Sequence, residues 1–181
     1  MGGTRITTLP ASTTAPGEVA WPYSGGQRNP YDTMPSWQTP VVGAGLMNAT
    51  GAYRIYPDVA ANADFQHSAF AVYRAQHWVM EGGTSLSAPV WAGITALFGQ
   101  YLAGKGASLQ ALVKSTPGGF NGLLYASRVA QGSTGGFFDI TSGGNGLVYG
   151  GCPAPQCTAG TGFDGVTGLG SPNVAALFSN F

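Results

Sequence analysis

An α/β fold is predicted for this chain from three observations. Short strand-like apolar pieces stand at 58–61 and 69–80. A long apolar segment of helical length runs over 86–102, and shorter helical patterns occupy 108–114, 121–131 and 173–179. Strands mixed with helices around one core predict an α/β architecture. The length of 181 residues suits one domain, taken as 1–181.

The elements follow in chain order. Residues 5–54 are dense in Pro and Gly turns and give one strand-like piece, 18–21. The segment 69–80 reads as a hairpin. In the helix, Thr95 and Gln100 are the clearly polar positions of 90–102, so this helix is expected to be buried rather than amphipathic. Gly104 and Gly106 end it. The pattern at 121–131 carries Leu123, Leu124 and Val129, and the last helix is entered through Ser171-Pro172. The sequence contains no internal repeat.

Composition narrows the setting. Lys and Arg number 7 and Asp and Glu number 7, giving zero formal net charge and no basic run. That argues against nucleic acid as a partner. Only 8% of residues are charged, against about 25% in ordinary soluble domains. Such a surface gains little self-repulsion in acid, which fits an exported, acid-tolerant protein. No run reaches the length of about 18 apolar residues that a membrane span needs. Residues 1–14 lack the charged-then-apolar layout of a signal peptide, so export is expected to depend on sequence outside this chain.

The first chemical motif is Gly83-Thr84-Ser85-Leu86-Ser87-Ala88-Pro89. It sets a serine where the long helix begins, with Pro89 expected in the first turn. There a hydroxyl would meet free backbone N–H groups and the positive end of the helix dipole, which suit a developing oxyanion. The same residues also read as an ordinary helix cap. The second motif is a pair of Gly-rich segments, Phe138-Asp139-Ile140-Thr141-Ser142-Gly143 and Gly160-Thr161-Gly162-Phe163-Asp164, with Thr167-Gly168-Leu169-Gly170-Ser171-Pro172 after them. Its plain alternative is a Gly-rich turn capped by two aspartates.

The run from Gly82 to Gly93, with Val90 and Trp91 after Pro89, resembles the nucleophile segment of the sedolisins, serine-carboxyl peptidases related to subtilisin. Met1-Gly2-Gly3-Thr4 is similar to the Gly-Gly-Thr strand of the later half of their catalytic domain, and 57–64 is similar to the segment upstream of the serine. The resemblance spans nearly the whole chain, as the C-terminal half of that domain, with a nucleophile segment at 82–102 and a calcium segment at 138–172. It implies a subtilisin-like, mostly parallel sheet, incomplete here.

It also implies that Ser85 is the nucleophile of an acid-active endopeptidase working through an acyl-enzyme. One calcium ion is implied on the side chains of Asp139 and Asp164 and the carbonyls of Ile140, Gly160 and Gly162. Calcium takes about six to eight oxygens and mixes carboxylates with carbonyls, in agreement. The family's glutamate base, its assisting aspartate and its oxyanion aspartate all precede the point where this sequence starts. The expected partners are therefore a peptide or protein substrate and an N-terminal half supplied separately, and the expected location is extracellular. His67, His77 and Glu81 are no convincing replacements for the base. The isolated chain is thus expected to be inactive, and a non-catalytic calcium-binding remnant is the alternative. An unrelated Gly-rich exported binding domain is a third reading. Gly25-Gly26-Gln27-Arg28 departs from the family's Gly-Gly-x-Ser, which touches contacts in the substrate cleft.

Cys152 and Cys157 are the two cysteines and are separated by a Pro-containing turn. A disulfide is preferred over free thiols, as suits an oxidising compartment. It would close a short loop inside 138–172. A zinc site is disfavoured, because no third Cys exists and both histidines are remote in sequence.

Overall fold

The first strand, β1 (Gly2–Thr8), lies at the centre of a three-stranded sheet between β2 (Gly17–Ala20) and β5 (Ala60–Asn62). The structure is a computed structural model and describes residues 1–9, 17–131, 135–146, 148, 152 and 154–181. β1 runs parallel to β5 in the register Gly2↔Ala60, Gly3↔Ala61 and Thr4↔Asn62, and antiparallel to β2. Two-stranded antiparallel ladders join β3 (Gln27–Thr33) to β4 (Tyr53–Tyr56), β6 (Phe70–Arg74) to β7 (His77–Glu81), and β8 (Phe137–Phe138) to β9 (Ser171–Pro172). The α/β class holds. The expected mostly parallel sheet is represented by one ladder, β1 with β5, and the other described ladders are antiparallel. A parallel ladder needs a long crossover, and the segment between β1 and β5 supplies one.

Five helices complete the described residues: α1 (Ala44–Thr50), α2 (Thr84–Gly104), α3 (Leu109–Ser115), α4 (Gly119–Gln131) and α5 (Val174–Ser179). Helix α2 ends as the two glycines suggest. The N–H of Gly106 donates to the Ala103 carbonyl and that of Ala107 to the Leu102 carbonyl, with Gly106 at φ 76°. This pair of bonds is the Schellman ending. Ser108 and Asn173 cap α3 and α5 by accepting from the N–H groups of Ala111 and Ala176. None of the described helices is long and apolar enough to cross a membrane.

Two expectations about α2 change. Pro89 is its sixth residue, not part of the first turn. The N–H that would reach the Ser85 carbonyl is therefore missing, since proline has none. The helix is also not buried all round. Trp91, Ile94, Phe98 and Leu102 face the core, whereas Ala92, Gly93, Ala96 and Leu97 are exposed, Leu97 by 54%. Its apolar character exceeds what these 181 residues cover.

One side of α2 is tied to β5. The buried Ser87 hydroxyl is 3.0 Å from the Ala61 carbonyl and 3.1 Å from that of Asn62, and donates to this pair. One turn on, the Trp91 indole N–H donates to the Ala60 carbonyl at 2.9 Å. Spacing of four residues puts both groups on one face. Burying the Trp91 ring stabilises by about 4 kcal/mol at roughly 25 cal/mol per Å², against about 1 kcal/mol for its hydrogen bond. Burial drives the contact, and the hydrogen bonds set its register.

A charged cluster supports the entry to β5. Arg54, only 5% exposed, donates from Nη2 to Asp58 and from Nη1 to the Ile55 carbonyl. Its guanidinium lies 4.8 Å from the Trp37 ring centroid and 4.3 Å from that of Tyr56. Asp58 also accepts from the Tyr125 hydroxyl at 2.8 Å and the Asn121 amide at 3.2 Å. Burial first, then the Asp58 charge, holds the Tyr125 phenol protonated far above its ordinary range. Asp58→Ala leaves the buried guanidinium without its counter-charge, and such removals cost about 3 kcal/mol or more. The expected outcome is a large fall in the urea midpoint at unchanged m-value; a midpoint within error of the parent would contradict this account of the cluster.

Candidate functional site

Glycine chemistry shapes the approach to Ser85. The Gly83 N–H donates to the Ala63 carbonyl at 2.6 Å, and Gly83 has φ 84°, a left-handed conformation that glycine adopts without strain. A Cβ on Gly82 would lie 2.6 Å from the Phe65 Cβ and 2.7 Å from the Ala63 carbonyl oxygen, so only glycine fits. The chain leaves β7, crosses this contact and enters α2. Ser85 is the helix's second residue and is exposed.

The capping alternative does not hold. The N-cap is Gly83, and no side chain makes a cap hydrogen bond at this end. The Leu86 and Ser87 N–H groups both turn to the Gly83 carbonyl, at 2.9 and 3.3 Å. Among the described residues no group bonds the Ser85 hydroxyl or its N–H. A solvent-facing hydroxyl beside unpaired N–H groups at the positive end of a 21-residue helix has the electrostatics an acyl-transfer nucleophile needs.

Every carboxylate of the chain is committed elsewhere. Glu18 accepts from the hydroxyls of Thr4 and Ser171. Asp32 accepts from Asn29, and Glu81 pairs with Arg74 at 3.2 Å. Asp58 serves the Arg54 cluster. Asp64 is 2% exposed and accepts from the N–H groups of Gln66 and His67, with the His67 ring at 2.9 Å and Arg5 at 3.8 Å. Burial raises the Asp64 pKa, but these hydrogen bonds outweigh it and hold the carboxyl below its usual range. His77, expected at the hairpin turn, instead opens β7 opposite Arg74 and is exposed. The turn itself falls on Ala75 and Gln76, with φ 48° and 67°. Neither histidine and none of the seven acids has a recorded bond to Ser85.

The two segments of the second motif touch through hydrogen bonds. The Gly162 N–H donates to both oxygens of Asp139, at 2.9 and 3.2 Å, so the two halves of 138–172 meet. Asp164 accepts from the N–H groups of Gly160, Val166 and Thr167 and from the Thr167 hydroxyl. Burial nevertheless pushes its carboxyl up to about 6. Arg128 reaches within 3.7 Å of Asp139. Among the described residues no donor meets the carbonyls of Ile140, Gly160 or Gly162, although Ile140 is 2% exposed. The two carboxylates and three carbonyls are all hard oxygen donors, the ligand type that calcium takes.

The loop's frame is covalent as well as polar. Cys152 and Cys157 form a disulfide. The Asn145 N–H donates to the Cys157 carbonyl and the Ala159 N–H to that of Gly143. Sequence reading missed the roles of Ser87 and Trp91, although their i, i+4 spacing was the available sign. It also missed the Arg54–Asp58 cluster, for which no local pattern exists.

No family model matches the chain. Curated relatives do. It is 38% identical to tripeptidyl-peptidase sed1 of Aspergillus fumigatus over 137 residues, 76% of this chain and 18% of that protein. To sedolisin of Pseudomonas sp. it is 32% identical over 158 residues, 85% of this chain and 22% of the relative. To tripeptidyl-peptidase sed4 of Aspergillus fumigatus it is 36% identical over 186 aligned positions, 88% of this chain and 29% of the relative. The chain thus spans less than a third of the length of these three relatives. With the Gly-Thr-Ser entry to α2 and the Asp139–Asp164 loop system in hand, these matches place the chain in the sedolisin family.

Proposed function

We propose that this chain supplies the nucleophile and the calcium loop of an extracellular, acid-active serine-carboxyl endopeptidase. The observation that carries the reading is Ser85, exposed and unbonded at the mouth of α2 while every acid of the chain is held elsewhere. The base glutamate, its aspartate and the oxyanion acid are therefore assigned to a part of the peptidase beyond these 181 residues. The uncovered apolar side of α2, with Ala92, Gly93, Ala96 and Leu97 exposed, supports that assignment, because it offers the second part a surface.

The Ser85 oxygen bonds to the peptide carbonyl carbon as its proton passes to the glutamate. The carbon–nitrogen bond then breaks, the leaving amine takes that proton, and water hydrolyses the acyl-enzyme. A glutamate has an ordinary pKa of about 4.3, against about 6.5 for histidine, so it still accepts a proton in acid. Unpaired N–H groups at the start of α2 favour the developing oxyanion.

Asp139, Asp164 and the carbonyls of Ile140, Gly160 and Gly162 would hold the calcium ion, which supplies charge compensation and rigidity to the loop. The disulfide and the low charge fit an extracellular location. A calcium-binding remnant without activity is the second reading, favoured by the same commitment of all seven acids.

Three outcomes are expected. Ser85→Ala in the native protein abolishes peptide cleavage at acid pH, and retained cleavage would remove Ser85 as nucleophile. The 181-residue chain alone cleaves no peptide, so Ser85-dependent turnover by the pure chain would contradict the division of the site. Saturating calcium stabilises the protein by about 2.7 kcal/mol at a hundredfold excess over the Kd. Asp139→Asn with Asp164→Asn abolishes that shift in thermal melts, whereas a full shift in the double variant would place calcium elsewhere.

A further inference from the structure

Helix α1 carries the triplet Asn48-Ala49-Thr50, in which a threonine stands two positions after an asparagine and no proline intervenes. Oligosaccharide is attached to asparagine in this setting. The chain has seven asparagines, and the other six stand in no such triplet. Such a triplet also arises by chance, and two independent features of the fold single this one out.

The first is the state of the side chain. Asn29, Asn62, Asn121, Asn145, Asn173 and Asn180 each have their side chain hydrogen-bonded within the fold. Asn48 is exposed, and among the described residues no group bonds its carboxamide. The one acceptor triplet thus falls on the one asparagine that the fold leaves unused.

The second is space. Leu46 and Thr50 are the buried residues of α1, and Asn48 lies two positions from each, about 200° around the helix axis. It therefore stands opposite the core. Ala44 and Gly45, four and three positions before it, share its face, and Gly51 and Ala52 follow the helix; all four are exposed. A Cβ on Gly45 would meet nothing within 4 Å. These neighbours carry no side chain larger than a methyl group, so a bulky substituent on Asn48 has room.

We propose that Asn48 is an N-glycosylation site that takes an oligosaccharide from a lipid-diphosphate carrier. The Asn48 amide nitrogen bonds to the anomeric carbon of the first sugar. The bond from that carbon to the diphosphate oxygen breaks, and the lipid diphosphate leaves with the electron pair. The amide proton passes to a base of the transferase. Thr50 is 1% exposed, and its hydroxyl donates to the Leu46 carbonyl at 2.8 Å. A transferase must reach that hydroxyl, so transfer precedes the folding of α1, and the finished helix keeps the sugar outside. The inference rests on the extracellular reading, which the Cys152–Cys157 disulfide supports.

The test is mass spectrometry of the native protein beside its Asn48→Gln form from the same source. Trypsin, cutting after Arg28 and Arg54, leaves Asn48 in the peptide 29–54, which holds no other acceptor triplet. The parent peptide is expected to carry a sugar, and enzymatic removal of that sugar in heavy-oxygen water to leave a labelled carboxyl at this position. Asn48→Gln is expected to lose the sugar, and its melt to coincide with that of the deglycosylated parent, since the side chain bonds nothing. Thr50→Val loses the sugar, whereas Thr50→Ser, which restores the hydroxyl, keeps it. A sugar on 29–54 that survives Asn48→Gln overturns the inference. So does a bare Asn48 in exported protein with a closed disulfide, which leaves the extracellular reading standing. Bare protein held inside the cell with free thiols overturns both.

Discussion

The contact of α2 with β5 governs the position of everything else at the site. Ser87 and Trp91 donate to three consecutive carbonyls, those of Ala60, Ala61 and Asn62, on β5, which pairs in parallel with β1. A slip of the helix by one residue would leave a buried hydroxyl and a buried indole N–H unpaired, at about 1–3 kcal/mol each. The helix start is thereby held, and Ser85, two residues before Ser87, inherits the position. Gly83 completes the restraint through the next carbonyl along, that of Ala63.

Around this fixed point the acids of the chain are bonded to groups other than Ser85. Seven acids are each spent on a cation, a hydroxyl or a row of N–H groups. In a chain with so few charges, this allocation leaves the serine with helix electrostatics alone. A helix terminus can favour an oxyanion but cannot take the proton of a hydroxyl. On the proposed reading, these residues present the nucleophile and a loop held by hydrogen bonds, and proton transfer falls to groups outside them.

Local motifs were legible and long-range cover was not. Ser85 and the Asp139–Asp164 loops lie in contiguous patterns, so the sequence could single them out, and the roles proposed for them come from the family resemblance. Helix limits fell within a few residues of the structure, because Gly104, Gly106, Ser108 and Asn173 carry their own ending and capping chemistry. The region holding β3, α1 and β4 was not legible. Its strand β4 carries the buried Arg54 beside Ile55, and Asp58, the Ile55 carbonyl and the Trp37 and Tyr56 rings make that burial tolerable. The half-covered state of α2 was equally hidden, since an apolar helix has the same sequence whether its cover comes from one chain or two.

The intact mass of the natural protein, captured by an affinity reagent raised against this chain, is the most direct measurement. The account predicts a mass well above 18.4 kDa, or a co-purifying partner bearing the missing glutamate and aspartates. A lone species of 18.4 kDa would contradict it, because Ser85 would then have no group to take its proton.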